Sequence, residues 1–155
     1  AIEHRLGCSI REYFEREGED RFRDIESEVI ADLSQNHQGV LSSGGGSVLR
    51  PINRERLHAR GHVFYLRSSP EEVFRRVRHD QNRPLLQVAD PMARLRDLFE
   101  KRDPLYRETA HYVIETGRPN VSGLVNMIVS QLELAGHMTP QPPIERPRVS
   151  PPHKV

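Results

Sequence analysis

The 155-residue sequence has one cysteine, no tryptophan and almost no lysine. Cys8 stands alone, so no disulfide can form within the chain, as suits a reducing compartment. No family signature of a cysteine nucleophile surrounds it. No apolar run reaches the length that spans a bilayer, and mean hydropathy is −0.67. No signal-peptide pattern opens the chain. These absences predict a soluble, cytoplasmic protein with no membrane partner. The net charge is +1, which gives no general attraction to nucleic acid. Eight histidines are scattered without HExxH or paired Cys/His spacing, so no zinc site is expected. Lysine occurs only at positions 101 and 154, and the other basic residues are arginine. Arginine offers a planar fork matched to carboxylate and phosphate.

What is present centres on Val40-Leu41-Ser42-Ser43-Gly44-Gly45-Gly46-Ser47-Val48. A short apolar run entering three glycines predicts a buried strand over Gly39–Ser43, followed by backbone bare enough to touch a small polar ligand. Upstream, Ser9–Glu17 reads as one helix and Arg21–Gln35 as another, with Phe22, Ile25, Val29 and Leu33 as the apolar stripe of the second. Arg23 and Glu26 lie three apart beside that stripe, a spacing that on its own reads as a solvated ion pair. Pro51–Ala59 is a short helix with proline in its first turn. His62–Leu66 and His111–Thr116 are strands. Ser68 or Ser69 caps a helix running to about Arg78. Asp90 and Pro91 begin another, ending near Lys101, and Asp103 is placed to cap a further one that Pro104 starts. Asn120–Leu134 is the last helix, with Val121, Leu124, Val125, Ile128 and Leu132 as its core face. Between these elements, His79–Asp90 has the length and composition of a lid. Strands alternating with helices predict an α/β domain with a parallel sheet. From Gly136 onward the chain holds half of its 12 prolines and few apolar residues. The expectation is a folded domain over residues 1–135 and a proline-rich disordered tail over 136–155.

Four motifs follow one another: Phe22-Arg23-Asp24-Ile25-Glu26, Ser43-Gly44-Gly45-Gly46-Ser47-Val48, Arg83-Pro84-Leu85-Leu86 and Arg102-Asp103-Pro104-Leu105-Tyr106. Together they resemble the shikimate kinases over Ala1 to about Leu134. The resemblance implies a P-loop NTPase-like three-layer α/β/α fold with a five-stranded parallel sheet and a mobile lid. It implies transfer of the ATP γ-phosphoryl group to the 3-hydroxyl of shikimate, with Mg²⁺, by a monomer. Arg23 and Arg102 match the arginines that bind the shikimate carboxylate, Glu26 an acid of the same pocket, and Gly44, Gly45 and Gly46 the glycines against the ring. Arg83 matches the catalytic lid arginine that also touches ATP. Arg76 and Arg118 match positions bordering the adenine.

The departure is a loss. The family's phosphate loop, GxxxxGK[ST], occurs nowhere in the 155 residues, and neither does the aspartate-x-aspartate element that serves Mg²⁺. By the resemblance, Ala1 falls within the second strand, so a strand–loop–helix unit on the order of 30 residues is missing and with it the metal ligands. The expectation is a kinase-like chain that is inactive and unstable by itself, with unpaired sheet edges. The alternative is a non-catalytic shikimate-binding or regulatory module.

Overall fold

The computed structural model of the protein describes residues 1–36, 38–78, 88–117 and 120–138. The chain divides into two compact units, one over residues 1–118 and one over 119–155. The first carries α1 (Ile2–Leu6), α2 (Ile10–Glu17), α3 (Glu19–Asn36), α4 (Pro51–Arg60), β1 (Phe64–Arg67), α5 (Pro70–Val77), α6 (Pro91–Thr109) and β2 (Tyr112–Glu115). The second carries α7 (Val121–Leu134). No helix among the described residues is long and apolar enough to cross a membrane.

Local chemistry accounts for most of the helix boundaries. Ser9 and Glu12 form a reciprocal capping box at the start of α2, and Ser69 with Glu72 form another at the start of α5, where Pro70 takes the first turn. Asp90 caps α6 by accepting from the Ala93 amide, and Asn120 caps α7 by accepting from Gly123. α3 packs against α4, and the Phe14 ring of α2 lies 4.5 Å from the Phe22 ring of α3. Among the described residues the buried apolar side chains are Phe22, Val29 and Ile30 of α3, Val48 before α4 and Ile114 of β2.

β1 and β2 form a parallel pair, in register from Phe64 opposite Tyr112 to Arg67 opposite Glu115. A helical crossover joins them, as parallel pairing requires. At one end of the pair Val63 O accepts from the amides of His111 and Tyr112, and at the other Arg67 O accepts from the Thr116 amide. The α/β class with a parallel sheet is therefore present, but the sheet has two strands among the described residues rather than five.

Four expectations are corrected here. Gly39–Ser43 is not a strand: Val40 is fully exposed, Leu41 is exposed, and no ladder lies beside them among the described residues. An apolar extended run becomes a strand only where another strand supplies its hydrogen bonds. The segment at Ala1 leads into a helix, α1, closed by Gly7 in the left-handed conformation, rather than lying in a strand. The helix from Pro91 does not end near Lys101. It continues through Pro104 to Thr109, and Asp103 turns its carboxylate to other partners instead of capping. The helix forgoes the backbone hydrogen bond that Pro104 cannot donate, while Asp103 beside it is bonded to Tyr65 and Arg67 of β1 and to Arg107 of α6. In α7 no residue is buried, and Val121 and Val125 of its expected core face are exposed.

Candidate active site

The glycine stretch is the floor of the site, and its far side is firmly built. Ser47 Oγ donates to Gly44 O at 2.6 Å, and the Ser47 amide donates to the same oxygen at 3.0 Å. Asn53 of α4, fully buried, donates from Nδ2 to Ser47 O at 3.0 Å. Arg54 Nη1 donates to Val48 O at 2.9 Å. None of Gly44, Gly45 and Gly46 has a positive φ. What limits a side chain is close approach, tightest at Gly46, less so at Gly45 and slight at Gly44. A Cβ on Gly46 would overlap the Arg23 guanidinium, and one on Gly45 would stand 3.1 Å from Tyr106 Oη and 3.6 Å from Arg102 Nη1. One on Gly44 would meet Glu26 Oε1 at 3.8 Å. Among the described residues the amides of the three glycines donate to nothing.

α3 supplies the first charged pair. Arg23 Nη1 donates to Glu26 Oε2 at 2.6 Å, and its Nη2 reaches Glu19 at 3.2 Å. The pair is not the solvated one that spacing alone predicts, for Glu26 is 3% exposed. It is buried because the glycine loop lies over it. Arg23 Nε has no partner among the described residues. The pair stands at the edge of a cavity of about 500 Å³, whose apolar wall includes Phe22, Val29, Ile30 and Leu41 and whose polar wall includes Ser42, Gly44 and Gly46.

α6 supplies the second guanidinium. Arg102 and Tyr106, four residues apart, share one face of the helix and meet the loop at Gly45. Tyr106 Oη donates to Gly45 O at 2.6 Å. Arg102 is half-buried and forms no hydrogen bond or ion pair among the described residues. Between them Asp103 faces β1. Its Oδ1 accepts from Tyr65 Oη and Arg67 Nε, each at 2.9 Å, and its Oδ2 accepts from Arg107 Nε at 2.9 Å. Burial works against the Asp103 charge, but the bonds from Arg107, Arg67 and Tyr65 outweigh it and hold the carboxyl below its ordinary range. Burial, with the Asp103 bond second, pushes the Tyr65 phenol well above its usual value.

Arg76 stands apart from this cluster. Its guanidinium donates to Thr116 O at 3.1 Å and to Ser68 Oγ at 3.3 Å, and the Ser68 and Thr116 hydroxyls bond each other. Ser68 follows β1 and Thr116 follows β2, so Arg76 marks the carboxyl ends of the parallel strands, the edge where open α/β sheets bind ligands. Arg83 and Arg118 lie outside the described residues, as does most of the lid stretch around Arg83. The structure thus brings together Arg23, Glu26, Gly44, Gly45, Gly46 and Arg102, and sets Arg76 elsewhere. Neither Tyr106 nor Asp103 was a site residue in the sequence reading, which cast Asp103 only as a helix cap. Their signal was the RDPLY spacing, which puts Tyr106 one turn beyond Arg102.

A parallel α/β frame carries bare glycine backbone flanked by two guanidiniums and a buried carboxylate, groups whose chemistry can meet a small polar acid. The shikimate kinase family model matches residues 1–133. The shikimate kinase of Burkholderia thailandensis is 58% identical over 135 residues, 87% of this chain and 73% of the relative. That of Ralstonia nicotianae is 54% identical over 139 residues, 90% of this chain and 73% of the relative. A solved shikimate kinase from Acinetobacter baumannii in complex with shikimate superposes with a TM-score of 0.78 at 44% identity, covering 87% of this chain and 75% of that one. The Aquifex aeolicus enzyme gives 0.69 at 30% identity, covering 88% and 80%. The chain belongs to the shikimate kinase family of small-molecule kinases.

Proposed function

We propose that this site binds shikimate in the orientation for phosphorylation of its 3-hydroxyl by ATP. Arg23 and Arg102 take the carboxylate, Glu26 accepts from a ring hydroxyl, and the amides of Gly44, Gly45 and Gly46 lie against the ring. The observation that carries this is Arg102, a half-buried guanidinium at the glycine loop with no anion beside it among the described residues. On the nucleotide side, Arg76 and Arg118 border the adenine and Arg83 comes over the phosphates. The solved Acinetobacter baumannii relative, in complex with shikimate, supports the same ligand.

The fit to the triphosphate and Mg²⁺ is poor in these residues. The sequence contains no GxxxxGK[ST] loop, and no cluster of three acidic, histidine or cysteine side chains suited to a metal occurs among the described residues. No catalytic step through the metal is therefore assigned to them. The proposal is that the 155 residues alone hold shikimate without phosphorylating it, the phosphate loop and metal ligands being supplied by residues outside them. The missing loop also favours a second reading, a binding or regulatory module without catalysis. Calorimetric titration with shikimate and a coupled assay of ADP release test both parts. Binding without turnover is the expected result. No shikimate binding overturns the site, and shikimate-dependent ADP release by this chain overturns the claim of inactivity.

A further inference from the structure

The residue next to the proposed carboxylate site whose chemistry is still unexplained is Tyr106. Its hydroxyl is 2.6 Å from Gly45 O, and its ring lies 4.9 Å from the Tyr65 ring. We infer that Tyr106 is a positioning residue for shikimate: it ties the Gly45 carbonyl to α6 and so sets both the Gly46 amide and Arg102 for the ligand. The inference rests on the reading of the site given above.

The geometry supports it in three steps. In a planar trans peptide the carbonyl and the following amide point to opposite edges. With Gly45 O turned to Tyr106, the Gly46 N–H points away from the phenol, and it donates to nothing among the described residues. A hydrogen bond received at the carbonyl also polarises that peptide and makes its N–H a stronger donor. Next, Arg102 leaves the same helical face one turn earlier and stands 3.6 Å from the place a Gly45 Cβ would take. One hydroxyl therefore fixes the loop's height against the helix that carries the guanidinium. Finally, the helix is itself fixed at this point. Asp103 receives Tyr65 and Arg67 from β1 and Arg107 from the next turn of α6. The order of support runs from β1 through Asp103 to α6, and from Tyr106 to the loop.

Tyr106→Phe removes the hydroxyl and keeps the ring against Tyr65. Shikimate affinity of the 155-residue chain, measured by calorimetry, is expected to fall about five- to tenfold, the worth of one hydrogen bond. In an Arg102→Lys background the same change is expected to cost about twofold, since the fork that Tyr106 places is already gone. The Gly46 amide resonance of the ligand-free chain is expected to move in Tyr106→Phe. Equal losses in both backgrounds, an affinity within twofold of the unaltered chain, or an unmoved Gly46 amide each overturn the positioning role and leave the site reading standing. If the unaltered chain does not bind shikimate, the site reading fails and the inference with it.

Discussion

At the scale of single residues, the site depends on atoms that are missing by design of the sequence. Gly46 faces the Arg23 guanidinium so closely that a Cβ would overlap it and the guanidinium, now bonded to Glu26, would have to shift. Gly46→Ala is expected to weaken shikimate binding by about 1.5–3 kcal/mol, the range for a charge-assisted hydrogen bond, as read by calorimetry. Asp103→Asn keeps the shape but loses the charge that three donors address, and is expected to lower unfolding free energy by about 1–3 kcal/mol in a denaturant titration. The sign with pH follows from the depressed carboxyl. Its stabilisation is present above the ordinary carboxylate range and is lost as pH falls through the lower folded value, so the variant's acid limb is shallower. Arg23, Glu26, Arg102 and the glycines were singled out by the resemblance of their motifs, and the structure draws them to one place, whereas spacing alone made Arg23 and Glu26 a solvated pair. That Glu26 is buried was not legible, since burial is decided by the loop that arrives from residues 44–47.

At the scale of elements, capping chemistry carried most of the reading. Ser69 and Glu72 announce α5, and Ser69→Ala is expected to cost about 1 kcal/mol in a thermal melt. Pro104 misled, because proline marks a helix start in sequence, whereas α6 runs through it to Thr109. Gly39–Ser43 misled for the opposite reason: its apolar pattern is a strand's, but pairing is a property of neighbours and not of the run itself. The start of the β1–β2 pair carries a titration of its own. His111 Nδ1 faces the Val63 amide at 3.0 Å and must be unprotonated to accept from it, while the His58 ring stacks on His111 at 4.0 Å and His62 meets its edge at 6.1 Å. Desolvation, then the neighbouring His58 and His62, hold His111 below the ordinary imidazole value. A lowered histidine stabilises the fold above its ordinary value and ceases to do so as pH falls through its folded one. The melting midpoint is therefore expected to drop on acidification below about pH 6.5, less so in His111→Gln.

At the scale of the whole molecule, the α/β class was legible from alternation alone, and the strand number was not. Among the described residues the sheet has two strands and five apolar side chains are buried, a small core for a folded state that is in any case marginal. Saturating shikimate is then expected to raise the melting midpoint by several degrees, because a ligand that binds only the folded chain adds RT ln(1 + [L]/Kd), about 2.7 kcal/mol at a hundredfold excess over Kd. A midpoint indifferent to shikimate argues against a folded site. The bond from Tyr106 to Gly45 joins positions 61 apart and encloses α4, β1, α5 and most of α6 between its ends. A contact so distant along the chain forms only after the closure entropy of the intervening segment has been met, which places it late in folding. The site is thereby a clasp on a long excursion of the chain. Whatever fills it is expected to slow amide exchange in β1 and α5, which the ligand itself never touches.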